Sequence, residues 1–79
     1  MEYLVVVEKG KNSYGAYVPD LPGCVAVGES RREVLKLIRE GIELHIETLR
    51  DAGEDVPSPA SKSEVVKVRA ASQVVQPRL

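Results

Sequence analysis

The chain has 79 residues, enough for one small domain with a thin core. Eleven Lys and Arg stand against twelve Asp and Glu, giving a formal net charge of −1, and no basic block could neutralise a nucleic-acid backbone. The single cysteine excludes an internal disulfide, and no apolar run is long enough to span a bilayer. We therefore expect a cytoplasmic protein that does not contact membranes and does not bind DNA directly.

Three short apolar runs predict an antiparallel meander. Residues 3–7 are continuously apolar, which predicts a central strand that is buried on both faces. The polar residues 9–13 suit a hairpin into a second strand over residues 14–18. A third strand is predicted over residues 24–27.

The connection between the second and third strands holds two prolines, which donate nothing to a strand ladder. Pro22 and Gly23 suit the two corners of a type II turn, because the second corner needs a positive φ. Asp20 lies between the prolines, where it either caps its own loop in an Asx turn or presents a pre-organised carboxylate to a basic partner protein. The candidate partner-binding residues are Tyr14, Tyr17, Asp20, Leu21 and Glu29.

A single long helix follows the third strand. Ser30 and Glu33 form a capping box, and apolar residues then recur at helical spacing up to Leu49. Gly53 is placed to end the helix in the left-handed conformation. Gly41, inside the helix, costs about 1 kcal/mol relative to alanine, which suggests a close approach of helix to sheet.

The C-terminal third of the chain predicts an extended return to the sheet. The prolines in residues 54–61 exclude a helix there, and residues 64–69 predict a fourth, edge strand. The fold class is thus α+β, a two-layer β-β-β-α-β sandwich formed by residues 1–69, with residues 70–79 as a flexible tail or oligomer arm. Because one helix can cover only one face of the sheet, we expect a homo-oligomer or a partner on the other face.

The combined pattern of loop, helix and proline pair resembles the HicB antitoxin family over roughly residues 2–68. This resemblance implies a truncated ribonuclease H-like fold and an antitoxin that binds and masks HicA, a small basic RNA-cleaving toxin. Many members carry a C-terminal DNA-binding segment, for which the residues after 69 are too few. The matching motifs are Tyr17-Val18-Pro19-Asp20-Leu21-Pro22-Gly23-Cys24, Gly28-Glu29-Ser30, Glu43-Leu44-His45, Leu49-Arg50-Asp51-Ala52-Gly53-Glu54 and Pro57-Ser58-Pro59.

Two alternatives compete with the antitoxin interpretation: an orphan oligomeric scaffold or regulator, and a degenerate metal-dependent nuclease. A nuclease needs carboxylates that converge on its metal ions, whereas Glu2, Glu8 and Glu64 fall at predicted strand ends. Cys24 and His45 have no second Cys or His with which to form a metal site. We expect no enzymatic activity, no metal and no cofactor.

Overall fold

The computed structural model describes residues 1–69 and contains three strands followed by one helix. The strands are β1 (Val6–Lys9), β2 (Tyr14–Tyr17) and β3 (Val25–Gly28), and the helix is α1 (Arg31–Asp51). Both strand pairs are antiparallel, in the order β1-β2-β3, so the predicted meander and the α+β class are confirmed. The predicted tail, residues 70–79, lies outside the described residues.

The prediction that the first strand is central is wrong, because β1 lies at an edge of the sheet. The apolar run of residues 3–7 overlaps β1 only at its end, and its residues are half-buried rather than buried. Tyr3, Val5 and Val7 pack against the core, so the other residues of the run point away from the helix. The run is apolar on both sides although the helix covers only one of them.

Local hydrogen bonds fix both ends of α1. Ser30 Oγ accepts from the Glu33 N–H at 3.0 Å, and Glu33 Oε1 accepts from the Glu29 N–H at 2.7 Å, so the predicted box forms with its second bond shifted by one residue. At the other end, the Gly53 and Glu54 N–H groups donate to the carbonyls of Arg50 and Leu49, at 3.0 and 2.9 Å. With Gly53 at φ 72°, this is a Schellman ending.

Two consecutive turns form the loop between β2 and β3. Leu21 N–H donates to the Val18 carbonyl at 3.0 Å, and Cys24 N–H donates to the Leu21 carbonyl at 3.0 Å. Gly23 has a φ of 86°, as the second corner of a type II turn requires, so the predicted turn is confirmed. The double turn carries Leu21 back into the core, where no part of it is exposed.

The core lies between the sheet and one side of α1. Val34 and Ile38 of the helix are its deepest residues together with Leu21, and half-buried Ile42 extends it. Gly28 lies against the start of the helix: a Cβ added there would come within 2.9 Å of the Val34 backbone nitrogen. The close approach of helix and sheet therefore occurs at Gly28 rather than at Gly41, where an added Cβ would meet only Cys24 Sγ, at 3.8 Å.

The predicted fourth strand is wrong for the described chain. Residues 64–69 form no strand, and Val65, Val66 and Val68 are 98%, 75% and 76% exposed. A strand exists only when its backbone pairs with a neighbour, and residues 64–69 pair with none of the three strands. We call residues 54–61, which return along the body, the strap, and residues 62–69, which leave it, the arm.

Candidate functional site

One side of the sheet carries an uncovered apolar surface. Ala16 and Ala26 point towards α1, so their neighbours Tyr17, Val25 and Val27 point to the opposite side. We call this side the outer face. The described part of the chain places no second layer over it, as the one-helix argument predicted.

The strand register assembles the outer face into continuous rows. Val6 pairs with Tyr17 and Tyr17 pairs with Val25, so three apolar side chains from three strands form one row. The next row contains Glu8, Gly15 and Val27, which places a carboxylate beside the apolar patch. Val25 and Val27 are 67% and 68% exposed, and Tyr17 is 41% exposed.

The outer face was only partly predictable. Tyr17 was a candidate partner-binding residue, whereas Val25 and Val27 were not, although they contribute more exposed apolar surface. The alternation Val25-Ala26-Val27 could have predicted this surface. The small alanine suits the crowded side of the strand that faces the helix, which leaves both valines on the outer face.

Asp20 secures the strap to the loop between β2 and β3. Its Oδ2 accepts from the N–H groups of Ala60 and Ser61, both at 2.8 Å, and its Oδ1 accepts from Ser61 Oγ at 2.8 Å. The Asx-turn alternative for Asp20 is therefore wrong, because the carboxylate caps a distant segment rather than its own loop. These hydrogen bonds, above all that from the Ser61 backbone, lower the pKa of Asp20, because they stabilise the charged form.

A second contact secures the start of the strap. The Tyr3 hydroxyl donates to the Pro57 carbonyl, which ties residues before β1 to the strap. Between Pro57 and Ser61 the strap thus has two attachments to the body, and beyond Ser61 the arm is exposed.

The other candidate residues divide by burial. Leu21 is fully buried and half-buried Tyr14 packs against the core, so both support the sheet and its loop from within. Glu29 is exposed where β3 ends. Of the five candidates, Tyr17 and Glu29 have exposed side chains, while Asp20 is engaged by the strap.

The chemistry of Cys24 does not suit a nucleophile. Its thiol is buried, and burial raises its pKa, whereas a reactive cysteine needs an environment that favours the thiolate. His45 lines a shallow depression with Cys24 at the edge of α1. Among residues 1–69, no group of three or more His, Cys, Asp or Glu side chains is arranged to hold a metal ion.

The one described helix lacks the combination of length and apolar character needed to cross a membrane.

Known proteins with similar sequences cover most of the chain. It is 51% identical over 41 residues to a UPF0150 protein of Helicobacter pylori, an alignment covering 52% of this chain and 57% of that protein. It is 38% identical over 58 residues to a UPF0150 protein of Thermoplasma acidophilum, covering 72% of this chain and 84% of that one. The chain thus matches little more than half the length of the Helicobacter relative.

Two solved structures share the fold. The N-terminal domain of the Burkholderia pseudomallei antitoxin HicB matches with a TM-score of 0.72 and 41% identity, over 78% of this chain and 74% of that one. A chain from the HicA3 and HicB3 toxin-antitoxin complex matches with a TM-score of 0.66 and 30% identity, over 76% of this chain and 70% of that one. The family model described as "HicB_like antitoxin of bacterial toxin-antitoxin system" matches residues 3–76. With nearly its whole length matched in sequence, and with the same meander and helix as HicB, the chain belongs to the HicB-like antitoxin family.

Proposed function

We propose that this protein is an antitoxin that binds a small HicA-type RNA-cleaving toxin through its outer face and masks the toxin's working surface. The exposed apolar patch carries the proposal. Tyr17, Val25 and Val27 form an apolar surface that no described residue covers, so it is left in contact with water. The structural relative from the HicA3 and HicB3 toxin-antitoxin complex supports a toxin as the partner class.

The composition of the patch suits protein binding. Tyr17 adds a rigid amphipathic ring, which is the kind of side chain enriched at interface cores. Gly15 leaves a flat area between Glu8 and Val27, so a partner can approach the sheet closely. Glu8 and exposed Glu29 offer negative charge to a basic toxin, which accelerates encounter and makes it sensitive to salt.

In this mechanism the antitoxin does no chemistry. Masking requires only that the bound chain occupy the toxin's substrate surface, and the apolar patch gives that contact its stability. The orphan scaffold remains the competing function, and it differs by needing no toxin.

Co-expression with a HicA-type toxin tests the proposal. We expect the chain to copurify with the toxin and to restore growth, and the Val25→Asp/Val27→Asp variant to lose both effects. Val65→Asp is the matched control, because Val65 is 98% exposed but lies in the arm rather than on the sheet. Circular dichroism establishes that both variants remain folded.

Two outcomes would overturn the proposal. A folded outer-face variant that still copurifies and still restores growth would exclude this surface as the toxin site. Failure of the unchanged chain to bind or neutralise the co-expressed HicA-type toxin would remove the antitoxin function and favour the scaffold.

A further inference from the structure

The arm exposes apolar side chains, and one edge of the sheet has backbone groups that no described strand pairs with. Beyond Ser61 the arm is extended and exposed, with three valines in water. Among the described residues, nothing pairs with the edge of β1 that faces away from β2, so the backbone N–H and C=O groups on that edge are available. Beside that edge, an open groove runs between the residues preceding β1 and the helix.

The lining of the groove is mainly apolar. Val5, Ile38, Ile42 and Ile46 form its floor, with Tyr3 and Leu35 beside them. Ile42 and Ile46 are only half-buried, so the groove holds apolar surface that the described chain leaves accessible. A strand added along β1 and the residues before it would pass over this groove, which Tyr3 and Val5 line, and would direct every second side chain into it.

The arm has the pattern of such a strand. Val66 and Val68 alternate with Lys67 and Arg69, so an extended arm can place both valines in the groove and both cations outward. The net side-chain charges of the two surfaces are opposite. The groove is lined by Glu2, Glu43 and Arg39 and is net negative, whereas the arm carries Lys62, Lys67, Arg69 and Glu64 and is net positive.

The arm does not enter its own groove. The attachments at Pro57 and Ser61 hold the strap against the body, and the valines that follow remain at least 75% exposed. The arm therefore reaches away from the subunit that carries it.

We propose that two copies of this chain exchange arms, each arm pairing with β1 of the other copy and inserting Val66 and Val68 into its groove. A reciprocal exchange gives a closed dimer with two-fold symmetry. Each arm then fills the groove of the other copy and pairs with the exposed edge of its β1. The fourth strand suggested by the sequence then forms between copies. The outer face is not consumed, so this inference does not depend on toxin binding.

The mass of the isolated full chain in light scattering gives the first test. We expect twice the 8.6 kDa of one chain. Val66→Asp/Val68→Asp should reduce the mass to that of one chain, while Val65→Asp, on the opposite side of the arm, should leave it doubled. Unchanged helical circular dichroism separates loss of the dimer from loss of the fold.

Disulfide trapping distinguishes exchange from other contacts. Cys24 is buried, so cysteines introduced at Val66 and Ile46 are the reactive ones. Mixing the Val66→Cys variant with the Ile46→Cys variant under a glutathione redox buffer should produce a cross-linked pair, and neither variant alone should do so. An arm that pairs with another arm would instead cross-link the Val66→Cys variant to itself.

Other results would overturn the proposal. A single-chain mass together with an intramolecular disulfide in the Val66→Cys/Ile46→Cys variant would show that the arm occupies its own groove. A doubled mass that survives Val66→Asp/Val68→Asp but is lost in Val25→Asp/Val27→Asp would assign the dimer to the outer face.

Discussion

At the scale of single residues, Gly28 and Gly41 differ in whether the fold requires a residue without a side chain. Gly28 is required by its surroundings, because an added Cβ would come within 2.9 Å of the Val34 backbone nitrogen, which cannot move without shifting the helix. Gly41 is not required, because the nearest side-chain atom would be 3.8 Å from an added Cβ. The sequence suggested a close contact at Gly41, since glycine inside a helix is conspicuous, whereas a glycine at the end of a strand is not.

Gly28→Ala should lower the free energy of unfolding by about 1–3 kcal/mol, the usual cost of overpacking. Urea unfolding followed by circular dichroism measures it. Gly15→Ala is the control, because nothing lies within 4 Å of a Cβ added there, and it should cause no loss. Equal stability of the Gly28→Ala variant and the unchanged protein would show that the helix can shift freely.

Gly41→Ala should raise the free energy of unfolding by about 1 kcal/mol, because alanine removes backbone freedom from the unfolded chain without a clash in the folded one. The comparison variant is Gly53→Ala, just beyond the end of the same helix, which should be destabilising because φ is 72° there. Thermal unfolding of both variants gives opposite shifts of Tm if the two glycines differ as described.

At the scale of elements, the sequence predicted what local chemistry determines. The capping box, the type II turn at Gly23 and the ending at Gly53 each depend on residues within a few positions of one another, and each is confirmed. The fourth strand depends on a distant ladder, and the strap depends on Asp20 reaching segments forty residues away. The sequence of residues 54–61 contains no pattern that identifies the carboxylate to which their N–H groups donate hydrogen bonds.

The attachment of the strap should depend on pH. The pKa of Asp20 is lower in the folded protein than its ordinary value of 3.8, so the carboxylate stabilises the fold above that value and loses this effect as pH falls through the folded pKa. We therefore expect the amide resonances of Ala60 and Ser61 to be constant near neutral pH and to shift only below about pH 4.

Asp20→Asn should abolish that titration and shift the same two resonances at neutral pH. Asp55→Asn is the matched control, because Asp55 is an exposed carboxylate within the strap. A titration of Ala60 and Ser61 that persists in the Asp20→Asn variant would assign it to another group.

At the scale of the whole molecule, a thin core is combined with two apolar regions that none of residues 1–69 covers, the outer face and the groove beside β1. Counting layers in the sequence predicted that one face would lack cover, because a single helix cannot protect both sides. The same count could not show that a second region opens at the sheet edge, since that depends on where the arm goes after Ser61.

Arm exchange makes stability a property of the assembly. We expect the Tm of the full chain to rise with protein concentration, because association stabilises the folded state by mass action. The Val66→Asp/Val68→Asp variant should melt at one lower temperature at all concentrations, whereas Val65→Asp should keep the dependence. A concentration-independent Tm in the unchanged protein would contradict exchange.

The chain has neither tryptophan nor phenylalanine, and its three tyrosines lie in three different environments. Tyr3 bonds to the strap, Tyr14 packs against the core, and Tyr17 lies on the outer face. Each tyrosine ring signal in a spectrum of this protein therefore reports on a different event: release of the strap, loosening of the interior, or arrival of a ligand. The molecule carries its own set of spectroscopic probes, and no label need be attached to follow each event separately.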